Sequence, residues 1–143
     1  MNPKLRAALA ILGGIGVAMV VISLVEMIGA RVNPRPAGLD MSDMDAMRAY
    51  AASLPASAIA IVLVGWLAGT FVGGFVAALI ARRRPLLFSG IVGGVVLLAT
   101  MINLVLLPHP LWLSFSALLG IPLVAWLASR LAPVPTAAGT RTS

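Results

Sequence analysis

The sequence predicts an all-α membrane protein with four transmembrane helices, on the evidence of its composition and its long uncharged runs. Of its 143 residues, 61% are hydrophobic and 10% are charged, whereas about a quarter of the residues in soluble domains are charged. A helix needs roughly 20 apolar residues to cross about 30 Å of hydrocarbon. Four runs without Asp, Glu, Lys or Arg are close to that length: 7–25, 56–81, 85–107 and 111–129.

We expect the four spans to form one transmembrane domain over residues 1–132. Their expected bounds are about 7–30, 54–81, 86–107 and 111–131. The basic start followed by an apolar run also resembles a secretory signal peptide, but a signal's apolar region is usually about 7–15 residues. The longer first run favours a retained helix. The segment 133–143, rich in Pro, Thr, Ala and Gly, predicts a disordered cytoplasmic tail.

The placement of Lys and Arg predicts the orientation. One side of the predicted topology carries the basic residues Lys4, Arg6, Arg82, Arg83, Arg84, Arg130 and Arg141. The other side has Arg31, Arg35 and Arg48, which are balanced by Asp40, Asp43 and Asp45. The positive-inside rule then places both termini in the cytoplasm of a bacterial cell, with the protein in the inner membrane. The basic residues lie at helix ends and form no stripe with exposed aromatics, so we expect the lipid bilayer, not nucleic acid, as a partner.

An internal repeat is predicted by three ordered matches between the two halves of the chain. The matched segments are 23–26 with 100–103, 34–36 with 108–110, and 64–68 with 124–128. They indicate two helical hairpins related as parallel repeats about an axis along the membrane normal. Short apolar matches also arise by chance, so the shared order of the three is the best support.

Small residues recur along the second span in the manner of a glycine zipper. Gly65, Gly69 and Gly73 follow a four-residue spacing that lets a neighbouring helix approach closely. Gly90 and Gly94 suggest a similar packing face on the third span. We interpret these faces as intramolecular packing of a four-helix bundle. Homo-oligomerisation through the second span is the alternative.

The first outer loop is predicted to contain a short amphipathic helix. Ser42 with Asp45 resembles a capping box, and Met41, Met44 and Met47 would then lie along one face.

Glu26 is the most informative polar residue, because an ionisable group in a spanning helix is costly unless it faces protein or water. One interpretation is a proton-responsive or cation-binding carboxylate near the outer opening of the bundle. The other is a structural carboxylate paired with Arg31 or Arg35.

Three further residues are expected at the depth of Glu26. Asn103 occupies the matching place in the second repeat, and Ser23 and Thr100 precede Glu26 and Asn103 by three residues. The four residues could line a small polar cavity. The alternative is a set of interhelical hydrogen bonds worth about 1 kcal/mol each.

His109 is the single histidine and lies between two prolines. Together with Met41, Met44 and Met47 it could form a soft copper(I) site. The sequence favours the simpler interpretation, which is a turn histidine beside a membrane-facing methionine stripe with no bound metal.

The sequence predicts no cofactor and favours a role without catalysis. It contains no cysteine, which excludes thiolate chemistry, and it shows no zinc-protease motif or nucleophile–base pair. We expect an accessory subunit or assembly factor of a membrane complex, with a minimal transporter or channel centred on Glu26 as the alternative. A membrane enzyme acting on lipid or quinone is the third and least favoured hypothesis.

Overall fold

Four long helices make up most of the chain. The computed structural model describes residues 2–133, and four of its helices are long and apolar enough to cross a membrane. The five helices are α1 (Pro3–Val32), α2 (Met44–Ser53), α3 (Ala56–Ala81), α4 (Pro85–Leu106) and α5 (Leu111–Leu131). The prediction of an all-helical chain with four candidate spans is confirmed over residues 2–133. The predicted tail lies outside the described residues, apart from Pro133.

α3 lies at the centre of the bundle. It packs against α1, α4 and α5, and α4 also packs against α5 and α1. Successive spanning helices are antiparallel. The start of α1, the turn 82–84 and the end of α5 therefore lie at one end of the bundle, which we call the arginine end. The connections 33–55 and 107–110 lie at the other, which we call the loop end.

The contact between α1 and α3 depends on glycine. A Cβ atom added at Gly14 of α1 would lie 2.7 Å from the Ala77 Cβ and 2.8 Å from the Gly73 carbonyl oxygen. A Cβ added at Gly73 would lie 2.7 Å from the Ala18 Cβ. The small-residue face of α3 is therefore filled by α1 within the same chain.

The packing face of α4 differs from the predicted one. Gly90 and Gly94 are exposed, and a Cβ added to either would meet nothing within 4 Å. Gly93 packs instead, since its added Cβ would lie 2.8 Å from the Ala125 Cβ of α5. The neighbouring Ser89 is buried and its hydroxyl donates to the Ala125 carbonyl at 2.6 Å. The prediction of a packing face at Gly90 and Gly94 is therefore wrong. α4 has small residues on two faces, and the face that packs against α5 is the one with Ser89 and Gly93.

The turn between α3 and α4 consists of three arginines. Arg82 and Arg84 adopt left-handed backbone conformations, with φ of 54° and 45°, which cost non-glycine residues about 1–2 kcal/mol each. The Arg82 amide donates to the Ala78 carbonyl and so ends α3. This tight turn holds three positive charges at the arginine end.

The start of α2 also differs from the prediction. The N-cap is Asp43, whose carboxylate accepts from the amides of Asp45 and Ala46 at 2.9 and 3.2 Å. Ser42 is bound elsewhere, because its amide and hydroxyl donate to the Asp40 carboxylate at 2.8 and 2.6 Å. These bonds hold the pKa of the Asp40 carboxyl below its ordinary value. The Ser42–Asp45 capping box is therefore wrong.

The glycine contact predicts that Gly73→Ala destabilises the bundle. The added methyl must displace α1 backbone, and overpacking of this kind costs about 1–3 kcal/mol. Thermal unfolding followed by circular dichroism should show a lower transition temperature. Gly94→Ala is the matched control, and we expect it to be neutral or stabilising because its Cβ enters open space. Equal destabilisation by the two variants would contradict this packing.

Candidate functional site

A cavity of about 210 Å³ lies at the loop end of the bundle, and we call it the loop-end cavity. Residues of α1, α2, α3, α4 and both connections contribute to its wall. They are Glu26, Gly29, Ala30, Asn33, Arg35, Met47, Tyr50, Ala51, Leu54, Ala58, Ile61, Val62, Trp66, Asn103, Leu107 and His109. The α3 part of this wall is apolar, and the polar groups come from the other elements.

Two of the predicted polar residues reach this cavity from different helices. Glu26 lies about 9 Å before the end of α1 at 1.5 Å per residue, and Asn103 lies in the last turn of α4. Both residues line the loop-end cavity. α1 and α4 are in contact nearer the arginine end, where a Cβ added at Gly14 would lie 2.9 Å from Val92. The cavity occupies the space between the two helices at the level of Glu26 and Asn103.

Glu26 and Arg35 share the cavity without forming an ion pair. Both side chains line its wall. No salt bridge joins them, however, because the one salt bridge within residues 2–133 is between Arg48 and Asp45. Arg35 directs Nη1 to the Met41 sulfur at 3.8 Å. Arg31 lies in the last turn of α1, outside the cavity wall.

His109 lies against the buried indole of Trp66. The two rings are 6.5 Å apart, centroid to centroid, and inclined by 58°, and Trp66 is 6% exposed. The Nδ1 atom of His109 lies 2.9 Å from the Leu107 carbonyl oxygen. Since a carbonyl only accepts, Nδ1 carries the proton, and Nε2 of the neutral ring remains an acceptor.

Asn33 brings a side-chain hydrogen-bond donor to the cavity. It ends α1, and its amide donates to the Gly29 carbonyl at 2.8 Å. Its side-chain Nδ2 is buried and has no hydrogen-bond partner within residues 2–133. Buried amide nitrogens are nearly always paired, so this atom is suited to an incoming acceptor.

Arg48 attaches α2 to the end of α4, beside the cavity. Its Nε donates to the Leu106 carbonyl at 3.2 Å, which is one of the carbonyls that the end of α4 leaves unpaired. Its Nη1 also contacts Asp45 at 3.4 Å. Met47, Tyr50 and other residues of α2 thereby form one wall of the cavity.

The remaining predicted polar residues lie outside the loop-end cavity. Thr100 is 2% exposed and buried within the bundle. Ser23 lies in a second depression on the flank of α1, which we call the lateral groove. The lateral groove is lined by Ser23, Glu26, Met27, Ala30, Pro34 and Arg35. Glu26 and Arg35 therefore line both the cavity and the groove.

The copper hypothesis has only part of its residue set in one place. Met47 and His109 line the loop-end cavity, whereas Met41 and Met44 are 52% and 41% exposed. Within residues 2–133, no group of three or more His, Cys, Asp or Glu side chains could hold a metal ion.

Asn33 and Tyr50 were not singled out from the sequence as site residues. Asn33 directly precedes Pro34 at the end of the first span. The last carbonyl groups of a helix have no partner within the helix, so a polar side chain at this position was the signal that could have indicated a site. For Tyr50 no such signal exists, because its place in the wall depends on how α2 docks.

No known protein family matches the chain, and neither a curated protein nor a solved structure matches it significantly.

The anchoring bond of Arg48 predicts that Arg48→Gln loosens α2. Amide hydrogen exchange measured by mass spectrometry should rise by about tenfold across Met44–Ser53, because α2 loses its bond to the end of α4, equivalent to about 1.4 kcal/mol. Exchange within α1 and α3 should stay unchanged. Asp45→Asn removes only the exposed ion pair, which contributes little, and should leave α2 protected. Unchanged exchange in Arg48→Gln would show that other contacts hold α2.

Proposed function

We propose that the protein is a small multi-pass membrane protein without catalytic activity, acting as an accessory subunit or assembly factor of a membrane complex. The observation that carries this proposal is that the cavity lies at the loop end of the bundle, whereas the helices are in close contact towards the arginine end. Towards the arginine end, the contacts of Gly14 with Gly73, Ala77 and Val92 bring α1, α3 and α4 together below the cavity. This packing supports a protein that binds a partner at its loop end and stays closed towards its arginine end.

The composition of the cavity also supports a binding role. Glu26 and Arg35 offer opposite charges, and Asn33 and Asn103 offer amide hydrogen bonds. These groups recognise ligands and partner residues through charge-assisted and neutral hydrogen bonds.

The proposal includes an orientation in the bacterial inner membrane. Lys4, Arg6 and the three turn arginines support a cytoplasmic arginine end. The loop end, with its cavity and α2, would then face outward. An origin by hairpin duplication is also proposed, and the shared position of the matched residues Glu26 and Asn103 supports it.

Native mass spectrometry of the protein extracted with its own lipid tests the accessory role. We expect a stable complex heavier than the 14.7 kDa chain and containing at least one different polypeptide. Glu26→Gln should weaken this complex, because the variant removes a charged group from the cavity that is proposed to bind the partner. Recovery of only the monomer or its multiples would overturn the accessory role.

A minimal transporter is the second candidate, favoured by one observation. Glu26, a carboxylate of a spanning helix, lines both the loop-end cavity and the lateral groove. Intramembrane carboxylates of this kind mark proton and ion pathways in many transporters. Transport would require α1 to separate from α3 and α4 near Gly14, which are in close contact in the structure.

Proton flux into liposomes tests the transporter role. Protein reconstituted with a pH-sensitive dye inside should dissipate an imposed pH gradient, and Glu26→Gln should slow this by at least tenfold because it removes the titrating group. Asp45→Asn is the charge-matched control and should retain the rate. Wild-type flux equal to that of empty liposomes, or an unimpaired Glu26→Gln variant, would exclude proton coupling through Glu26.

A further inference from the structure

We infer that the loop-end cavity binds the headgroup of a zwitterionic phospholipid, with the phosphate at Arg35 and Asn33 and the ammonium at Glu26. This site goes beyond the proposed accessory role and does not depend on it.

The polar groups of the cavity form a donor set and an acceptor set. The donors include the Arg35 guanidinium and the buried Asn33 Nδ2, which has no hydrogen-bond partner within residues 2–133. The acceptors are the Glu26 carboxylate and, in its neutral form, Nε2 of His109. A phosphate matches the donors and a primary ammonium matches the acceptors. A ligand that carries both groups satisfies the two sets together.

The two oppositely charged side chains of the cavity, Glu26 and Arg35, leave space between them for such a ligand. Glu26 and Arg35 both line the cavity, yet no salt bridge joins them in the described part of the chain. An ammonium and a phosphate placed in the gap would each meet the opposite charge. A purely anionic headgroup would satisfy Arg35 but would place its negative charge beside Glu26.

The lateral groove indicates that the ligand comes from the bilayer. It shares Glu26, Ala30 and Arg35 with the cavity and extends along the outer flank of α1 through Ser23 and Met27. One helical turn further toward the arginine end, α1 exposes Met19 and Val20, which are 53% and 59% exposed. Gly16 lies nearer the arginine end, and a Cβ added to it would meet nothing within 4 Å. An acyl chain can lie along this apolar flank while its headgroup occupies the groove and cavity.

The lengths of the helices place the cavity at headgroup level. α1 has 30 residues, or about 45 Å at 1.5 Å per residue, which exceeds the roughly 30 Å of hydrocarbon. α4 has 22 residues, about 33 Å, and so nearly matches the hydrocarbon. Asn103 in its last turn lies near the boundary, and Glu26 shares the cavity with Asn103. The phosphates and amines of lipids lie at this depth.

The test uses delipidated full-length protein in detergent and native mass spectrometry. The probes are phosphatidylethanolamine, which is zwitterionic, and phosphatidylglycerol, which is anionic, with identical acyl chains. We expect wild-type protein to bind phosphatidylethanolamine about tenfold more tightly, because only that lipid brings an ammonium to Glu26. Equal binding of the two lipids, or a preference for phosphatidylglycerol, would overturn the inference. The wild-type comparison decides the question even where a variant fails to fold.

Variants assign the two halves of the headgroup. Glu26→Gln should abolish the preference between the lipids, and Arg35→Gln should weaken binding of both by about tenfold. Asp45→Asn and Arg31→Gln change the same charges outside the cavity wall and should behave like wild type. A full preference retained in a folded Glu26→Gln variant would overturn the assignment of the ammonium.

A soluble competitor distinguishes the lipid from a free zwitterion. O-phosphoethanolamine carries the same two charged groups without acyl chains. We expect it to displace phosphatidylethanolamine only at concentrations at least a hundredfold higher than that of the lipid. Displacement at a comparable concentration would overturn the lipid assignment in favour of a water-soluble zwitterion.

Discussion

The close approach of α1 and α3 at Gly14 and Gly73 is the contact on which the rest of the structure depends. Lipid provides no hydrophobic driving force between helices, so association relies on van der Waals packing that small residues permit. The Cβ distances at both glycines show that no larger residue fits there without moving backbone. Because Gly14 also meets Val92, the same contact fixes α1 against α4.

The location of the cavity follows from that contact. α1 and α4 are held together near Gly14 and Val92, whereas at Glu26 and Asn103 both helices line a cavity to which α2 also contributes. The bundle is therefore tightly packed towards the arginine end and hollow at the loop end. The polar side chains of the cavity, which would be costly in hydrocarbon, lie at the loop end. The lipid-headgroup site and the accessory role proposed for the protein both use this end.

The sequence predicted the helices well and the site in part. Uncharged runs of suitable length located the four candidate spans, and the cost of a carboxylate in lipid identified Glu26. Asn103 came from the repeat comparison and lines the same cavity as Glu26. Asn33 and Tyr50 were missed, because the cavity wall is assembled from the ends of four helices and two connections. The capping box at Ser42 failed because Asp43 caps α2 while Ser42 bonds to Asp40.

The sequence by itself determined that the chain is helical and apolar enough to lie in a membrane, because hydropathy and run length are local properties. It also determined that α3 has a small-residue face, since a four-residue spacing places Gly65, Gly69 and Gly73 on one side. Only the tertiary structure decided which helix fills that face, and which of two glycine registers α4 buries. It also decided that Arg48 docks α2 on Leu106. These choices depend on contacts between residues far apart in the chain, which periodicity along a single helix does not specify.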